Sequence, residues 1–230
     1  MSKESGIGRV LLICGVAAIA LVVGFATQPA AANLVANGGF ETGTDPGSFV
    51  TLYNGDTSIT GWTVINGFNI PAGSGSIDYI GTYWAPSEGS RSLDLDGLVP
   101  GGVQQSFTTV FGQKYHVAFD MRGNTDGPPA IKALVVTPDG TTVFSYDPSA
   151  ETGWVTKGFD FTAAAGISTT LMFQSNTIPS DGGAYGAALD NVVVEAIGTG
   201  GASVPEPLTM IGAFMGISSL GMYIRRRTRA

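Results

Sequence analysis

Short runs of alternating apolar and polar residues, separated by turn-forming residues, occupy the middle of the chain. The alternation is clearest at positions 115, 117, 119 and 121, where Tyr, Val, Phe and Met share one face of an extended strand. Between residues 33 and 200 the sequence shows no heptad or convincing helical period. Turn signals separate the runs at several places, among them Asp96-Gly97, Pro100-Gly101-Gly102 and Pro138-Asp139-Gly140. The pattern therefore indicates a β-protein.

Eleven segments of the chain carry this strand pattern. They are residues 33–41, 61–65, 76–80, 91–95, 103–107, 114–122, 130–137, 141–146, 154–161, 169–174 and 189–196. So many short strands predict an all-β fold, most simply a jelly-roll sandwich of two antiparallel sheets. An immunoglobulin-like sandwich is the alternative, although it usually needs fewer strands.

The N-terminal 32 residues have the composition of a secretory signal peptide. Lys3 and Arg9 flank the start of an apolar core that runs to Ala26, and small residues then lead to a cleavage site after Ala32. An uncleaved membrane anchor is the alternative. Cys14, the only cysteine, lies inside the apolar core. The mature protein is therefore expected to contain neither a disulfide nor a reactive thiol.

The chain ends in an uncharged apolar run that is followed by arginines. Residues 208–224 carry no charge and would span about 25 Å as a helix, near the lower limit for crossing a bilayer. By the positive-inside rule the arginines hold that end in the cytoplasm; they are Arg225, Arg226, Arg227 and Arg229. We therefore predict a transmembrane helix at 208–224, with a buried C-terminal core helix as the alternative.

A Pro-Glu-Pro motif precedes this run, at Pro205, Glu206 and Pro207. The order of motif, apolar run and basic cluster over residues 204–230 resembles the PEP-CTERM sorting signal of Gram-negative exoproteins. The resemblance implies recognition by an exosortase, a membrane protease-transpeptidase that cleaves near the motif and passes the protein outward. It also implies export to the cell envelope, the outer surface or the extracellular space, with only a transient anchor in the inner membrane.

Between the two ends lies one domain, residues 33–197, followed by a glycine-rich flexible linker at 198–203. Residues 33–203 hold five Lys and Arg against sixteen Asp and Glu, which gives a net charge of −11. Such a surface repels nucleic acid, and the sequence contains no basic patch in this region. Nucleic acid is therefore not expected as a partner.

Five sequence blocks are spread over nearly the whole domain: NLVANGGFE at 33–41, SIDYIGTYW at 76–84, GSRSLDLDG at 89–97, GWVTK at 153–157 and AYGAALDNV at 184–192. Together they resemble the choice-of-anchor C family and the related plant cell-wall domain of unknown function. The resemblance implies a galactose-binding-like jelly roll and an extracellular location. Its plant relatives imply association with cell-wall polysaccharide.

Aromatic rings in exposed loops are the side chains expected to stack on sugars, whose C–H faces are apolar. Tyr83 and Trp84 are adjacent in a stretch rich in glycine, serine and proline. We predict carbohydrate-binding roles for four residues: Tyr79, Tyr83, Trp84 and Tyr185. Packing as loop lids is the alternative for Tyr83 and Trp84. Trp62 and Trp154 open β-prone runs and are expected in the core.

Two carboxylates near the ends of the domain are candidates for a structural calcium site. Glu41 closes the first predicted strand, and Asp190 lies at the start of the last. Terminal strands of a jelly roll commonly lie side by side, so the two groups can converge on Ca²⁺ together with loop carbonyls. The carbohydrate-binding jelly rolls that this domain resembles often hold such an ion. The alternative is that both carboxylates accept hydrogen bonds from loop amides or pair with Arg91.

The sequence shows no Ser-His-Asp or Cys-His arrangement and no phosphate-binding glycine motif. We therefore predict a non-catalytic, exported protein that associates with extracellular polysaccharide through loop aromatics and polar side chains. The alternative is a structural or adhesive surface protein that has a protein partner and no sugar site.

Overall fold

Antiparallel strands make up the regular secondary structure of the residues that the structure describes. The computed structural model describes residues 32–138, 142–164, 166–177 and 184–198. The predicted signal peptide up to residue 31 and the predicted PEP-CTERM segment therefore lie outside the described residues. Within the described ranges, no helix is long and apolar enough to span a bilayer.

Two sheets form a sandwich. The described strands are β1 (Phe49–Tyr53), β2 (Thr63–Asn66), β3 (Ser76–Ile80), β4 (Ser92–Asp94), β5 (Gly101–Thr108), β6 (Lys114–Gly123), β7 (Lys132–Thr137), β8 (Thr142–Tyr146), β9 (Val155–Thr162), β10 (Ser168–Ser175) and β11 (Ala187–Ala196). The six-stranded sheet has the order β1-β3-β4-β11-β6-β9, and the five-stranded sheet has the order β2-β5-β10-β7-β8. The predicted all-β sandwich of two antiparallel sheets is thereby confirmed.

The prediction of the first strand is wrong. Residues 33–41 form no strand, because Asn37 and Phe40 have φ angles of 53° and 60°, in the left-handed region. The Asn37 side chain stabilises this turn by donating from Nδ2 to the Thr42 carbonyl at 2.8 Å. The chain enters its first strand only at Phe49–Tyr53, a segment that the sequence pattern does not predict.

The core lies between the two sheets and is rich in aromatic rings. Tyr, Val, Phe and Met at 115, 117, 119 and 121 of β6 are buried there, as their alternation predicts. The ring centroid of Phe119 lies 5.0 Å from that of Phe173 in the opposite sheet and 5.1 Å from that of Phe144. Both contacts are edge-to-face, which adds to the stabilisation from apolar burial. Trp62 is buried, as predicted.

The outer face of the six-stranded sheet carries a row of mostly polar residues. Direct cross-strand partners run Thr51–Asp78–Asp94–Ala188–Arg122, from β1 through β3, β4 and β11 to β6. Residues directly opposite one another project to the same face of a sheet. The row therefore points away from the core, and the loops above it form the site described next.

Candidate functional site

A cleft of about 200 Å³ opens above this row. Its floor includes Thr51, Asp78 and Asp94. Its rim is formed by residues from several loops and from β1: Phe49, Tyr83, Trp84, Leu98, Asp126 and Tyr185. The fold thus brings three of the four predicted aromatic residues from distant parts of the chain to the lining of one cleft.

Tyr83 and Phe49 supply the most accessible rings of the rim. Tyr83 is 49% exposed and Phe49 is 47% exposed. Their ring centroids lie 5.4 Å apart in an edge-to-face arrangement. The Tyr83 hydroxyl donates to Asp126 Oδ2 at 2.7 Å, and this hydrogen bond raises the pKa of the phenol. The Tyr83 ring is therefore held in position while much of its surface faces solvent.

Trp84 has a more structural setting. Its Nε1 donates to Ser92 Oγ at 2.8 Å, and the Arg122 guanidinium carbon lies 5.6 Å from its ring centroid. The same guanidinium carbon lies 5.7 Å from the ring centroid of Trp154, whose Nε1 donates to the Ala85 carbonyl at 3.1 Å. Arg122 thus contacts two indoles by cation–π interactions. Trp154 was expected in the core, and this expectation is wrong, because its partners lie on the outer face of the sheet.

Tyr185 lines the cleft from a half-buried position. Its ring packs directly against Gly127, where a Cβ atom would overlap the ring atoms. The Lys132 ammonium lies 6.0 Å from the ring centroid and donates to the Gly127 carbonyl at 2.8 Å. The close approach of this loop to the ring therefore requires glycine at position 127.

Tyr79 is a correction to the predicted set. It is fully buried, because alternation in β3 turns it to the core while Asp78 faces the cleft. Its hydroxyl donates to the Phe40 carbonyl at 2.6 Å and accepts from Arg91 Nη1 at 2.7 Å. A buried ring offers no face to a sugar, so Tyr79 stabilises the fold instead.

Glu41 and Asp190 both bind the segment that carries Tyr83 and Trp84 towards β4. Glu41 Oε1 accepts from the backbone N–H groups of Ser90 and Arg91 at 2.8 and 2.9 Å. Asp190 Oδ2 accepts from the N–H group of Ser87 at 2.8 Å and from that of Glu88 at 3.0 Å. The two carboxylates therefore hold this loop on the sheet.

The groups around these two carboxylates are hydrogen-bond donors, and such surroundings do not suit a calcium ion. Burial disfavours the charged form of Glu41, but hydrogen bonds from Ser90 and Arg91 outweigh it and lower the pKa. Burial raises the pKa of Asp190 to about 7, even though three backbone N–H groups donate to it. The described residues contain no group of three His, Cys, Asp or Glu side chains placed to hold a metal. The arrangement favours loop amides as the partners of both carboxylates.

Calcium removal is expected to leave the melting temperature unchanged, because N–H donors already occupy these carboxylate oxygens. The measurement is thermal unfolding of the full chain in excess EDTA and in excess calcium chloride. A bound structural ion would stabilise the folded state in proportion to its occupancy. A melting temperature that falls in EDTA and recovers with calcium would therefore contradict this expectation.

The cleft floor carries carboxyl groups whose ionisation is suppressed by burial. Asp94 accepts from Asn124 Nδ2 at 2.8 Å and from the Gly186 N–H group at 3.0 Å, yet burial raises its pKa well above the usual value. Burial also raises the pKa of Asp78, partly offset by the Thr51 hydroxyl, which donates to it at 2.6 Å. The floor therefore retains protons on its carboxyl groups at higher pH than exposed carboxylates do.

Sequence reasoning missed Phe49, Asn124 and Asp126 as parts of the site. Phe49 lies in the strand that the alternation pattern does not predict. Asn124 and Asp126 lie in a turn, and Asn124 Oδ1 accepts from the Asp126 N–H group at 2.9 Å. Asn124-Thr125-Asp126-Gly127 is a turn-forming sequence, but its position over the sheet depends on pairings between distant strands.

The fold and the cleft define an all-β sandwich domain with an aromatic-rimmed site on the outer face of one sheet. Residues 33–195 match the DUF642 family, described as "Protein of unknown function", and the chain belongs to this family. The relation to a domain of unknown function, indicated by the five sequence blocks, is thereby confirmed. Halomucin of Haloquadratum walsbyi is 35% identical over an alignment of 193 residues that covers 82% of this chain. The chain spans only 2% of the length of halomucin.

Loose similarities to solved structures are also found. A family 16 carbohydrate-binding module is 16% identical with a TM-score of 0.44, covering 70% of this chain and 99% of the module. The CBM22-1 xylan-binding domain of a Paenibacillus barcinonensis protein is 16% identical with a TM-score of 0.40, covering 64% and 93%. A CBM35 domain from the same organism is 15% identical with a TM-score of 0.40, covering 64% and 99%. Scores this low carry no argument about a ligand.

Proposed function

We propose that this domain associates with extracellular polysaccharide through the cleft between Phe49, Tyr83 and Tyr185, without catalysis. The observation that carries the proposal is the pairing of two half-exposed rings, Tyr83 and Phe49, with a polar floor beneath them. Concave sites that combine apolar walls with a few convergent polar groups are typical ligand sites.

The chemistry of the cleft suits a sugar. Sugar rings present apolar C–H faces that can stack on Tyr83, while their hydroxyls need both donors and acceptors. Asp78 and Thr51 on the floor of the cleft supply polar oxygen atoms to such hydroxyls. The exposed Asp126 carboxylate on the rim is a further acceptor. Because residues 33–203 carry a net charge of −11, an uncharged or weakly charged glycan is favoured over a strongly anionic one.

A hydrolytic function is not supported by this geometry. A glycosidase places two carboxyl groups on opposite sides of the scissile bond, about 5–10 Å apart. Asp94 is only 1% exposed, so it cannot reach a bond beside Asp78, and the Asp126 carboxylate already accepts from the Tyr83 hydroxyl. This arrangement supports a binding role.

The proposal includes export and processing. The signal peptide at 1–32 and the Pro-Glu-Pro motif at 205–207 support secretion and recognition by an exosortase. The protein would then reach the cell surface or extracellular matrix of a Gram-negative bacterium, after a transient anchor at 208–224. The support for this part of the proposal comes from the sequence motifs.

Tyr83→Ala is expected to weaken retention on the preferred polysaccharide roughly tenfold or more, because a central aromatic contact commonly supplies 2 kcal/mol or more of binding energy. The measurement is a glycan screen with the full chain, followed by quantitative pull-down on the best polysaccharide. Phe111→Ala is the matched control, since Phe111 is an exposed aromatic residue outside the cleft. Equal retention by both variants would contradict the proposal. Self-association without retention on any glycan would support the structural or adhesive alternative.

A further inference from the structure

Three apolar side chains project into solvent at one end of the sandwich. Val110 is 66% exposed, Phe111 is 73% exposed and Ile167 is 82% exposed. The first two lie in the loop between β5 and β6, and the third lies in the loop between β9 and β10. We name Val110, Phe111 and Ile167 the apolar tip.

Hydrogen bonds hold the two loops of the apolar tip together. The Thr109 N–H group donates to the Ile167 carbonyl at 3.0 Å, and the Gly112 N–H group donates to the Ala163 carbonyl at 2.9 Å. The apolar tip is therefore part of the hydrogen-bonded fold and consists of two neighbouring turns. Packing in the core does not stabilise its exposed side chains.

The chain leaves the domain beside this tip. The Ile197 N–H group donates to the Lys114 carbonyl at 2.9 Å, and Gln113 Nε2 donates to the Ile197 carbonyl at 2.7 Å. Nine residues separate Gly198 from Leu208, where the uncharged apolar run begins. Fully extended, the ten residue steps from Gly198 to Leu208 span at most about 33–36 Å. The end of the domain that carries the apolar tip is therefore the end from which the chain leads to the predicted membrane helix.

The cleft lies on the outer face of the six-stranded sheet, towards the end opposite the tip. Leu98 on the cleft rim precedes β5, and Val110 follows it. Tyr185 precedes β11, and Ile197 follows it. Strands of eight to ten residues are roughly 25–35 Å long. The lengths of β5 and β11 both indicate that the cleft and the tip are separated by about the length of the domain.

We propose that the apolar tip rests in the interfacial layer of the lipid bilayer that holds residues 208–224, with the cleft on the membrane-distal part of the domain. The inference rests on the predicted membrane helix and is independent of what the cleft binds. The three exposed apolar side chains suit shallow insertion at the level of the lipid headgroups. Lys114, exposed beside the tip, adds a positive charge that favours anionic headgroups.

A second copy of the chain is the less favoured occupant of the tip. A stable protein–protein interface buries about 800 Å² on each partner. Three side chains on two convex turns offer far less apolar area than that. Lipid accommodates such a shape without a complementary partner surface, and the nearby exit of the chain brings lipid to this end of the domain.

The test uses an added tryptophan and lipids that quench it on contact. The full chain carrying Phe111→Trp is reconstituted into vesicles of phosphatidylethanolamine and phosphatidylglycerol, with and without phosphatidylcholine brominated on its acyl chains. The added emission, after subtraction of the three native tryptophans, is expected to fall at least twofold in the brominated vesicles. Leu98→Trp, exposed at the cleft end, is the matched control and is expected to show no loss.

Equal quenching at both positions, or none at either, would overturn the proposal. Failure of the full chain to incorporate into vesicles would also overturn it, because the predicted membrane helix would then be wrong. Emission that depends on protein density but not on bromine would assign the tip to a second copy, and so contradict lipid contact. Ile167→Trp repeats the test if Phe111→Trp does not fold. None of these readouts depends on binding of polysaccharide.

Discussion

Asp96→Asn is expected to raise the free energy of unfolding at pH 8 by up to about 4 kcal/mol and to leave it unchanged near pH 3. Burial raises the pKa of Asp96 to about 7, because neither carboxylate oxygen has a hydrogen-bond partner among the described residues, although the Lys132 charge partly offsets this effect. The unfolded chain releases this proton near pH 3.8, whereas the folded protein keeps it until about pH 7. Between these values the folded state binds more protons, so this carboxyl group makes stability fall as pH rises.

The variant isolates this contribution because asparagine cannot ionise. Raised pKa values at Asp94 and Asp190 act in the same direction, while the lowered pKa of Asp120 acts in the opposite one. The measurement is urea unfolding of parent and variant from pH 3 to pH 8. The stability difference should open between pH 4 and pH 7 and then stay constant. Asp45→Asn, at an exposed carboxylate, is the control; a similar pH-dependent gain there would contradict the assignment to burial.

Trp62→Ala is expected to cost about 3–5 kcal/mol of stability, the range for truncating a large buried aromatic side chain. The Trp62 ring centroid lies 5.3 Å from that of Phe40 and 6.4 Å from that of Phe173. Its Nε1 donates to the Asn37 carbonyl at 2.9 Å. The substitution therefore leaves a cavity between the sheets and removes the donor to Asn37 in the segment that leads to Glu41.

Urea unfolding measures this loss, with Trp154→Ala as the matched control. Trp154 is partly exposed on the outer face, so its truncation leaves less empty space and is expected to cost only about 1 kcal/mol. A Trp62→Ala variant no less stable than Trp154→Ala would contradict the assignment of Trp62 to the core. Because Glu41 holds the loop at Ser90, Trp62→Ala is also expected to loosen the rim of the cleft.

The strands were predictable from the sequence because alternation is a local property. In β6 each second residue faces the core, and these residues, from Tyr115 to Met121, are apolar, so the sequence itself shows the alternation. The segment 33–41 has the same apolar content but forms no strand, since its geometry depends on the left-handed conformation of Asn37 and Phe40. Alternation alone does not contain that information.

The composition of the cleft was only partly predictable. Tyr83, Trp84 and Tyr185 were predicted because they are aromatic residues in exposed loops, and all three line one cleft. The assignment of Tyr79 failed because it depends on which face of β3 is buried, and neighbouring Asp78 and Ile80 take the other face. Cross-strand register determines which face of β3 is buried, and this register depends on residues that are distant in the sequence.

The central claim is that polysaccharide binds in the cleft on the outer face of the six-stranded sheet. The most direct measurement is an NMR titration of the protein with an oligosaccharide cut from the polysaccharide that retains it. The account predicts that amide shift changes concentrate at residues 78–84, 94–98 and 124–126. Changes that concentrate instead at the loops 109–113 and 163–167, or no changes at saturating oligosaccharide, would contradict it.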